Sequence, residues 1–169
     1  MKRWILIWFM VLPFLFTACG SNGGGPPPVY TWYSSDTPIL IPDQDFIFSD
    51  ILVTEGPFFI SRVSVTVVIL HTSVSDLDLI LWSPDGTPIY LTDNSSDGED
   101  FWYTTFDESA IVGIWQTTSL DDPRTGYYLP VESLDWFYGE SAVGIWTLEV
   151  DDQVVLDNGY LIEWSIDIQ

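Results

Sequence analysis

The sequence predicts an all-β chain folded as a two-sheet sandwich. Three observations predict it. β-branched and aromatic residues alternate with polar ones in short runs, and Gly, Pro and Asp turns separate those runs. No stretch of ten or more residues after Pro28 shows a helical period. About eight short strands of this kind bury their apolar faces by packing two sheets together.

The elements follow in order. Arg62 to His71 reads RVSVTVVILH, mostly alternating and then continuous from Val67 to Leu70. Leu77, Leu79 and Leu81 alternate with Asp78 and Ile80. Ser83-Pro84-Asp85-Gly86 is a turn, because Pro presets φ and Gly supplies a positive one. Ile89 to Leu91 resumes the strand pattern. Trp146, Leu148 and Val150 alternate, as do Trp164, Ile166 and Ile168. Trp146 and Trp164 are thus expected in the core. Asp157-Asn158-Gly159 reads as the turn between the last two strands. Val112-Gly113-Ile114-Trp115 is echoed by Val143-Gly144-Ile145-Trp146, too briefly to establish a repeat.

The first residues are a targeting segment. Lys2 and Arg3 precede an apolar run from Trp4 to Phe16, which is too short for a membrane span. Residues 1–18 therefore read as a signal peptide. Phe16-Thr17-Ala18-Cys19 resembles a bacterial lipobox, with Cys19 as the acylated residue. Cys19 is the chain's one Cys, so it has no internal disulfide partner. An ordinary secretion signal with an incidental Cys is the alternative. Multiple acyl chains make a stable membrane anchor. Gly20 follows the Cys, and by resemblance to enterobacterial sorting rules this favours the outer membrane or cell surface. Residues 19–29, with GSNGGGPPP at their centre, form a flexible and then stiff spacer. The domain is expected to occupy residues 30–169.

Charge narrows the partners. Four Lys and Arg face 25 Asp and Glu, for a formal net charge of −21. Without residues 1–18, only Arg62 and Arg124 oppose the same 25 acids, a net charge of −23. Hydrophobic residues make up 47% of the chain and aromatics 16%, so it is not a disordered acidic tail. No basic stripe exists to neutralise phosphates, which argues against nucleic acid. Cations, neutral ligands such as sugars, and basic protein surfaces remain.

A family resemblance lies in the middle of the chain. His71-Thr72-Ser73-Val74-Ser75-Asp76-Leu77-Asp78-Leu79-Ile80-Leu81-Trp82-Ser83-Pro84-Asp85-Gly86-Thr87 resembles the signature of the proprotein convertase P domain, also called the Homo B domain. Ile41-Pro42-Asp43 is similar to its opening. Thr105 to Ala110 is similar to its middle acidic motif, and Leu129-Pro130 with Leu134 to Gly139 to its Pro-rich stretch. Gly144 to Asp151 and Asp157 to Ile166 are similar to its close. The resemblance covers roughly residues 38–168. It implies a jelly-roll β-sandwich, similar to galactose-binding modules, with no active site of its own. In that family the domain follows a subtilisin-like or other protease domain, stabilises it and modulates its calcium and pH dependence.

Little in the residues points to catalysis. The one His, His71, closes an apolar strand, and neither Ser73 nor Ser75 sits in a nucleophile elbow. One His and one lipidated Cys do not make a zinc site on a Cys and His count. Calcium is the better use of the acids, since it takes six to eight oxygen ligands. Asp76 and Asp78 open one strand and Asp151 ends another, so antiparallel pairing would gather them, and Asp107 of the middle acidic motif could join. Strand-end capping or plain solvation accounts for the same residues equally well. Asp93 to Asp100 begins like an EF-hand loop but lacks the closing Glu, and reads instead as an acidic hairpin loop. Trp102 and Tyr103 beside that loop offer aromatic faces and carboxylates for a sugar; sandwich core is the alternative. Trp136, Phe137 and Tyr138 form a similar run.

These readings converge on a non-catalytic, membrane-anchored envelope lipoprotein. Its sandwich would be an accessory or binding module, supported by calcium and linked to subtilisin-like proteolysis through a protease partner. A carbohydrate-binding surface lipoprotein, with a glycan as partner, is the second reading. A part of a serine-type endopeptidase system is the third.

Overall fold

Among the described residues, ten strands in two facing sheets make up the fold. The computed structural model describes residues 25–57, 59–94 and 97–169. Cys19, the signal segment and the start of the spacer lie outside these residues, as do Ser95 and Ser96 of the acidic loop.

The strands are β1 (Tyr30–Tyr33), β2 (Ile39–Ile41), β3 (Phe46–Val53), β4 (Val63–His71), β5 (Leu77–Trp82), β6 (Pro88–Asp93), β7 (Phe101–Asp107), β8 (Arg124–Tyr128), β9 (Gly144–Asp152) and β10 (Gly159–Ile168). The larger sheet runs β1-β10-β4-β7-β8, with β2 also paired to β10. The smaller sheet runs β3-β9-β5-β6. All pairs are antiparallel except β7 with β8. This is the expected all-β jelly-roll sandwich. Its short edge strands β2 and β8, of three and five residues, raise the count above eight. Such lengths carry too little alternation to read from sequence.

Strand parity sets the core. Val63, Val65, Val67 and Ile69 of β4 point inward, opposite Trp146, Leu148 and Val150 of β9. Trp146 and Trp164 are buried, as expected. The Phe137 ring meets Trp146 edge-on, 5.2 Å between centroids, and the Trp146 indole donates to the Ala142 carbonyl at 3.0 Å. The Ser83–Gly86 turn closes the β5–β6 hairpin, with Gly86 N–H donating to Ser83 at 2.9 Å and Gly86 at φ +86°. The echoed Gly-Ile-Trp segments differ in structure. One opens β9, while Ile114–Gln116 is a short 3-10 turn that leaves Trp115 exposed.

Two expected hairpins are crossovers. The acidic segment 94–100 joins β6 of the smaller sheet to β7 of the larger, and residues 153–158 join β9 to β10 in the same sense. Residues 42–45 and 72–76 also pass between the sheets. β4, β6 and β9 end, and β5, β7 and β10 begin, at these crossings, so all four lie at one end of the sandwich. Loops gathered on a rigid scaffold are where binding sites concentrate.

Candidate functional site

The inward rows of the two sheets both end on polar residues at the crossover end. In β4 the inward series Val65, Val67, Ile69 continues to His71. In β9 the series Trp146, Leu148, Val150 continues to Asp152. Both side chains are fully buried, and His71 Nε2 lies 3.5 Å from Asp152 Oδ2 across the gap between the sheets. Asp157, from the 153–158 crossover, completes the group. One ligand-type atom from each residue lies within 4.8 Å of the other two.

Each of the three is held by its other heteroatom. His71 Nδ1 lies 2.8 Å from the Ser73 carbonyl, to which a protonated Nδ1 would donate. The Ser73 backbone N–H also lies 3.2 Å from Nδ1 and can only donate, so the two Ser73 contacts call for opposite tautomers of the ring. Asp152 Oδ1 accepts from Val154 N–H at 3.1 Å. Asp157 Oδ2 accepts from the Thr72 hydroxyl at 3.1 Å. The remaining atoms, His71 Nε2, Asp152 Oδ2 and Asp157 Oδ1, are buried without a hydrogen-bond partner. Burial pushes the Asp152 carboxyl above its ordinary value, against the lowering by the Val154 N–H and His71.

Gly159 makes room for this arrangement. It pairs with His71 in the β10–β4 ladder, and a Cβ there would collide with the Leu70 carbonyl oxygen and the His71 ring. Asp157-Asn158-Gly159 reads in sequence as a turn, but the left-handed residue of this crossover is Leu156, at φ +94°. The glycine serves the close approach of the ring. A cleft of about 330 Å³ beside the ring is lined by His71, Thr72, Glu99, Asp100, Asn158 and Tyr160 among others.

The acids singled out from sequence are distributed differently. β5 and β9 are antiparallel neighbours, with Asp78 directly opposite Asp151 on one side and Asp93 on the other. These three occupy the outer face, because they have the opposite parity to Leu77 and Asp152. Burial raises the Asp78 carboxyl above its ordinary value, and Asp151, Asp93 and Glu149 raise it further. Its Oδ1 is buried without a partner. Asp76 is tied to the same end, its carbonyl accepting from Gln153 N–H at 2.8 Å.

Asp107 does not join them. It pairs with Ser64 at the start of β4, the far end from His71. There the Arg62 guanidinium donates to both its oxygens, one at 2.7 Å, and Ser109 donates from its hydroxyl and its backbone. Burial pushes this carboxyl up, but those donors outweigh it and hold it below the ordinary range. Antiparallel pairing of β7 with β4 puts the C-terminal end of one at the N-terminal end of the other, and this separates Asp107 from the rest.

Trp102 and Tyr103 are both exposed because β7 carries a bulge there. The β4–β7 register slips between Val67 and Val68, and Tyr103 sits at φ +52°. Their rings meet edge-on at 5.6 Å. Tyr103 lines a groove of about 280 Å³ on the outer face of the larger sheet, with Thr31, Tyr33, Glu163 and Asp167. Trp136 and Tyr138 are exposed and flank the buried Phe137. In the 94–100 crossover, Asp100 Oδ1 accepts from His71 backbone N–H at 2.8 Å, and Gly98 takes φ +107°.

Sequence reasoning thus reached Asp151 but missed its neighbour Asp152, and left His71 and Asp157 as structural residues. The argument against zinc counted Cys and His alone, whereas carboxylates are ligands too.

Comparison with known proteins agrees with this architecture. The family model for the proprotein convertase P-domain matches residues 60–168. The serine protease of Aeromonas sobria shares the fold at TM-score 0.51 and 23% identity, over 87% of this chain and 28% of that one. The same organism's serine protease in complex with the chaperone ORF2 gives TM-score 0.52 and 22% identity over the same shares. The chain thus spans under a third of the length of these solved structures. No curated protein matches it. With the match covering well over half of its residues, the chain belongs to the proprotein convertase P-domain family.

Proposed function

We propose that this protein is a non-catalytic accessory module of the cell envelope, tethered by a lipid on Cys19 and acting on subtilisin-like proteolysis through a protein partner. The family match over residues 60–168 carries the reading. The fold shared with part of two bacterial serine protease chains supports it. The contact surface we assign is the outer face of the smaller sheet. Phe46, Phe48, Leu52 and Ile145 stand exposed there, an apolar strip on a strongly acidic protein.

Calcium fits the same reading. Asp78, Asp93 and Asp151 form a cross-strand row, and the orphaned Asp78 Oδ1 is a hard oxygen donor. These residues, with Asp76 beside them, would hold the ion, and its charge would relieve their mutual repulsion.

The test pairs this protein with a subtilisin-like catalytic domain produced without its own P domain. Added at micromolar concentration, it should raise that domain's melting point and lengthen its active half-life. Phe48→Asp should abolish the effect. No change in either quantity would overturn the accessory reading. Anchoring is checked separately: palmitate labelling should be lost on Cys19→Ala.

A second reading has its own observation. The groove holding Tyr103, Tyr33, Glu163 and Asp167 combines aromatic faces with acceptors, which suits a neutral glycan. A glycan array should then show hits that Tyr103→Ala removes.

A further inference from the structure

We infer that His71, Asp152 and Asp157 form a binding site for a divalent transition-metal ion of the zinc class, separate from the calcium row on the outer face. Three independent features carry this. The ligand-type atoms converge within 4.8 Å. The three atoms that face one another are buried and without hydrogen-bond partners. Each side chain is fixed through its other heteroatom, to Ser73, Val154 and Thr72 respectively.

That last feature distinguishes the group from a solvated cluster of acids. A ligating histidine commonly gives its distal N–H to a backbone carbonyl, which leaves the other nitrogen's lone pair free for the metal. Ser73 engages Nδ1 through both its carbonyl and its backbone N–H, which leaves Nε2 as the ring nitrogen that faces Asp152 Oδ2. Nε2 and Asp152 Oδ2 stand 3.5 Å apart in a buried gap, too far for a good hydrogen bond, and an ion seated between them would be held by both. The distance suits such a cation: two ligands at about 2.1 Å in tetrahedral geometry stand about 3.4 Å apart.

The donor set also selects the ion. Calcium takes six to eight oxygens, and here one donor is an imidazole nitrogen in a site with three protein ligands. Imidazole with carboxylates favours zinc and its first-row neighbours. A cleft of about 330 Å³ lined by His71, Thr72 and Asn158 lies beside the group and would be the side from which the ion enters. Bound there, the ion would join β4, β9 and the 153–158 crossover, fastening the two sheets at their loop-rich end.

The experiment uses the full-length protein without a histidine tag, stripped with chelator and titrated with Zn²⁺ or Co²⁺. At a hundredfold excess over the dissociation constant, the melting midpoint should rise by roughly 8 °C. Co²⁺ should bind one per chain and give the visible absorption of a low-symmetry, four-coordinate ion. Asp157→Asn should lose both signals while keeping the metal-free melting point close to wild type, because Asp157 lies in a crossover loop. His71→Gln should lose them too; should it fail to fold, Asp157→Asn decides alone. Asp78→Asn should keep both. Absence of the Co²⁺ spectrum and of any Zn²⁺ shift in the wild type would overturn the inference, and so would their survival in Asp157→Asn. The calcium response of the outer row is read independently, since it should vanish in Asp78→Asn and persist in Asp157→Asn.

Discussion

The indole N–H of Trp164 donates to the hydroxyl of Ser49 at 2.7 Å, joining the two sheets through the middle of the core. Trp164 lies in β10 and Ser49 in β3, 115 residues apart, and both are buried. Ser49 in turn donates to Asp36 Oδ1 at 2.6 Å. A buried indole N–H needs such an acceptor.

Ser49→Ala should therefore cost more than its lost volume implies. It strands the Trp164 N–H, and a stranded buried donor costs about 1–3 kcal/mol. Urea denaturation followed by Trp fluorescence measures this. A loss below a few tenths of a kcal/mol would show that the bond is not part of the core's stability.

Gly159→Ala should destabilise by about 1–3 kcal/mol, the usual cost of forcing extra volume into a packed site. The colliding groups are the Leu70 backbone and the His71 ring, neither of which can swing clear. Gly86→Ala, whose Cβ would meet open space, serves as comparison. Its cost should come from its positive φ alone. Thermal melting in the presence of chelator gives both values.

Asp78→Asn should stabilise the calcium-free protein by about 0.2–1 kcal/mol at neutral pH, by removing like charges directly opposite one another. Its neighbours Asp93 and Asp151 remain. Because the folded carboxyl is raised above its unfolded value, ionised Asp78 costs stability at neutral pH, and the cost fades as pH falls through the folded value. The advantage of Asn should shrink accordingly in acid. Melting curves with chelator from pH 7 downward follow it.

Asp107 should show the opposite sign. Its folded carboxyl is held below the ordinary value by Ser109 and Arg62, so it contributes stability above the unfolded value. That contribution is lost as pH falls below about 4 toward the folded value. Asp107→Asn should lower the melting point at pH 7 and flatten the acid limb below pH 4. An unchanged acid limb would show that the Arg62 pair, whose guanidinium is partly exposed, is energetically silent.

Parity in the sequence already carried much of the candidate site. The alternation Trp146, Leu148, Val150 continues to Asp152, and the β4 series ends on His71. A strict period of two thus aims both inward. Read in sequence, the strand ends at Val150, with Asp151 as the carboxylate at its end. Asp151 faces outward in the structure. Ending the strand at Val150 conceals Asp152, whose burial the same alternation implies. Parity does not predict the shared exposure of Trp102 and Tyr103. A bulge lets consecutive residues share a face, and nothing local announces it.

The sequence by itself determined the fold class, the buried tryptophans, the Ser83–Gly86 turn and the family. Each rests on short-range order, either strand period, turn chemistry or a motif whose residues follow one another. Tertiary structure alone decided which acids meet. Read in line, Asp107 of the middle acidic motif could join Asp151, yet antiparallel pairing sends Asp107 to the opposite end of the sandwich. His71 and Asp157 are 86 positions apart, and a crossover between sheets brings them together. Pairing partners and crossover paths depend on how two whole sheets close on one core, and no window of local sequence contains that information.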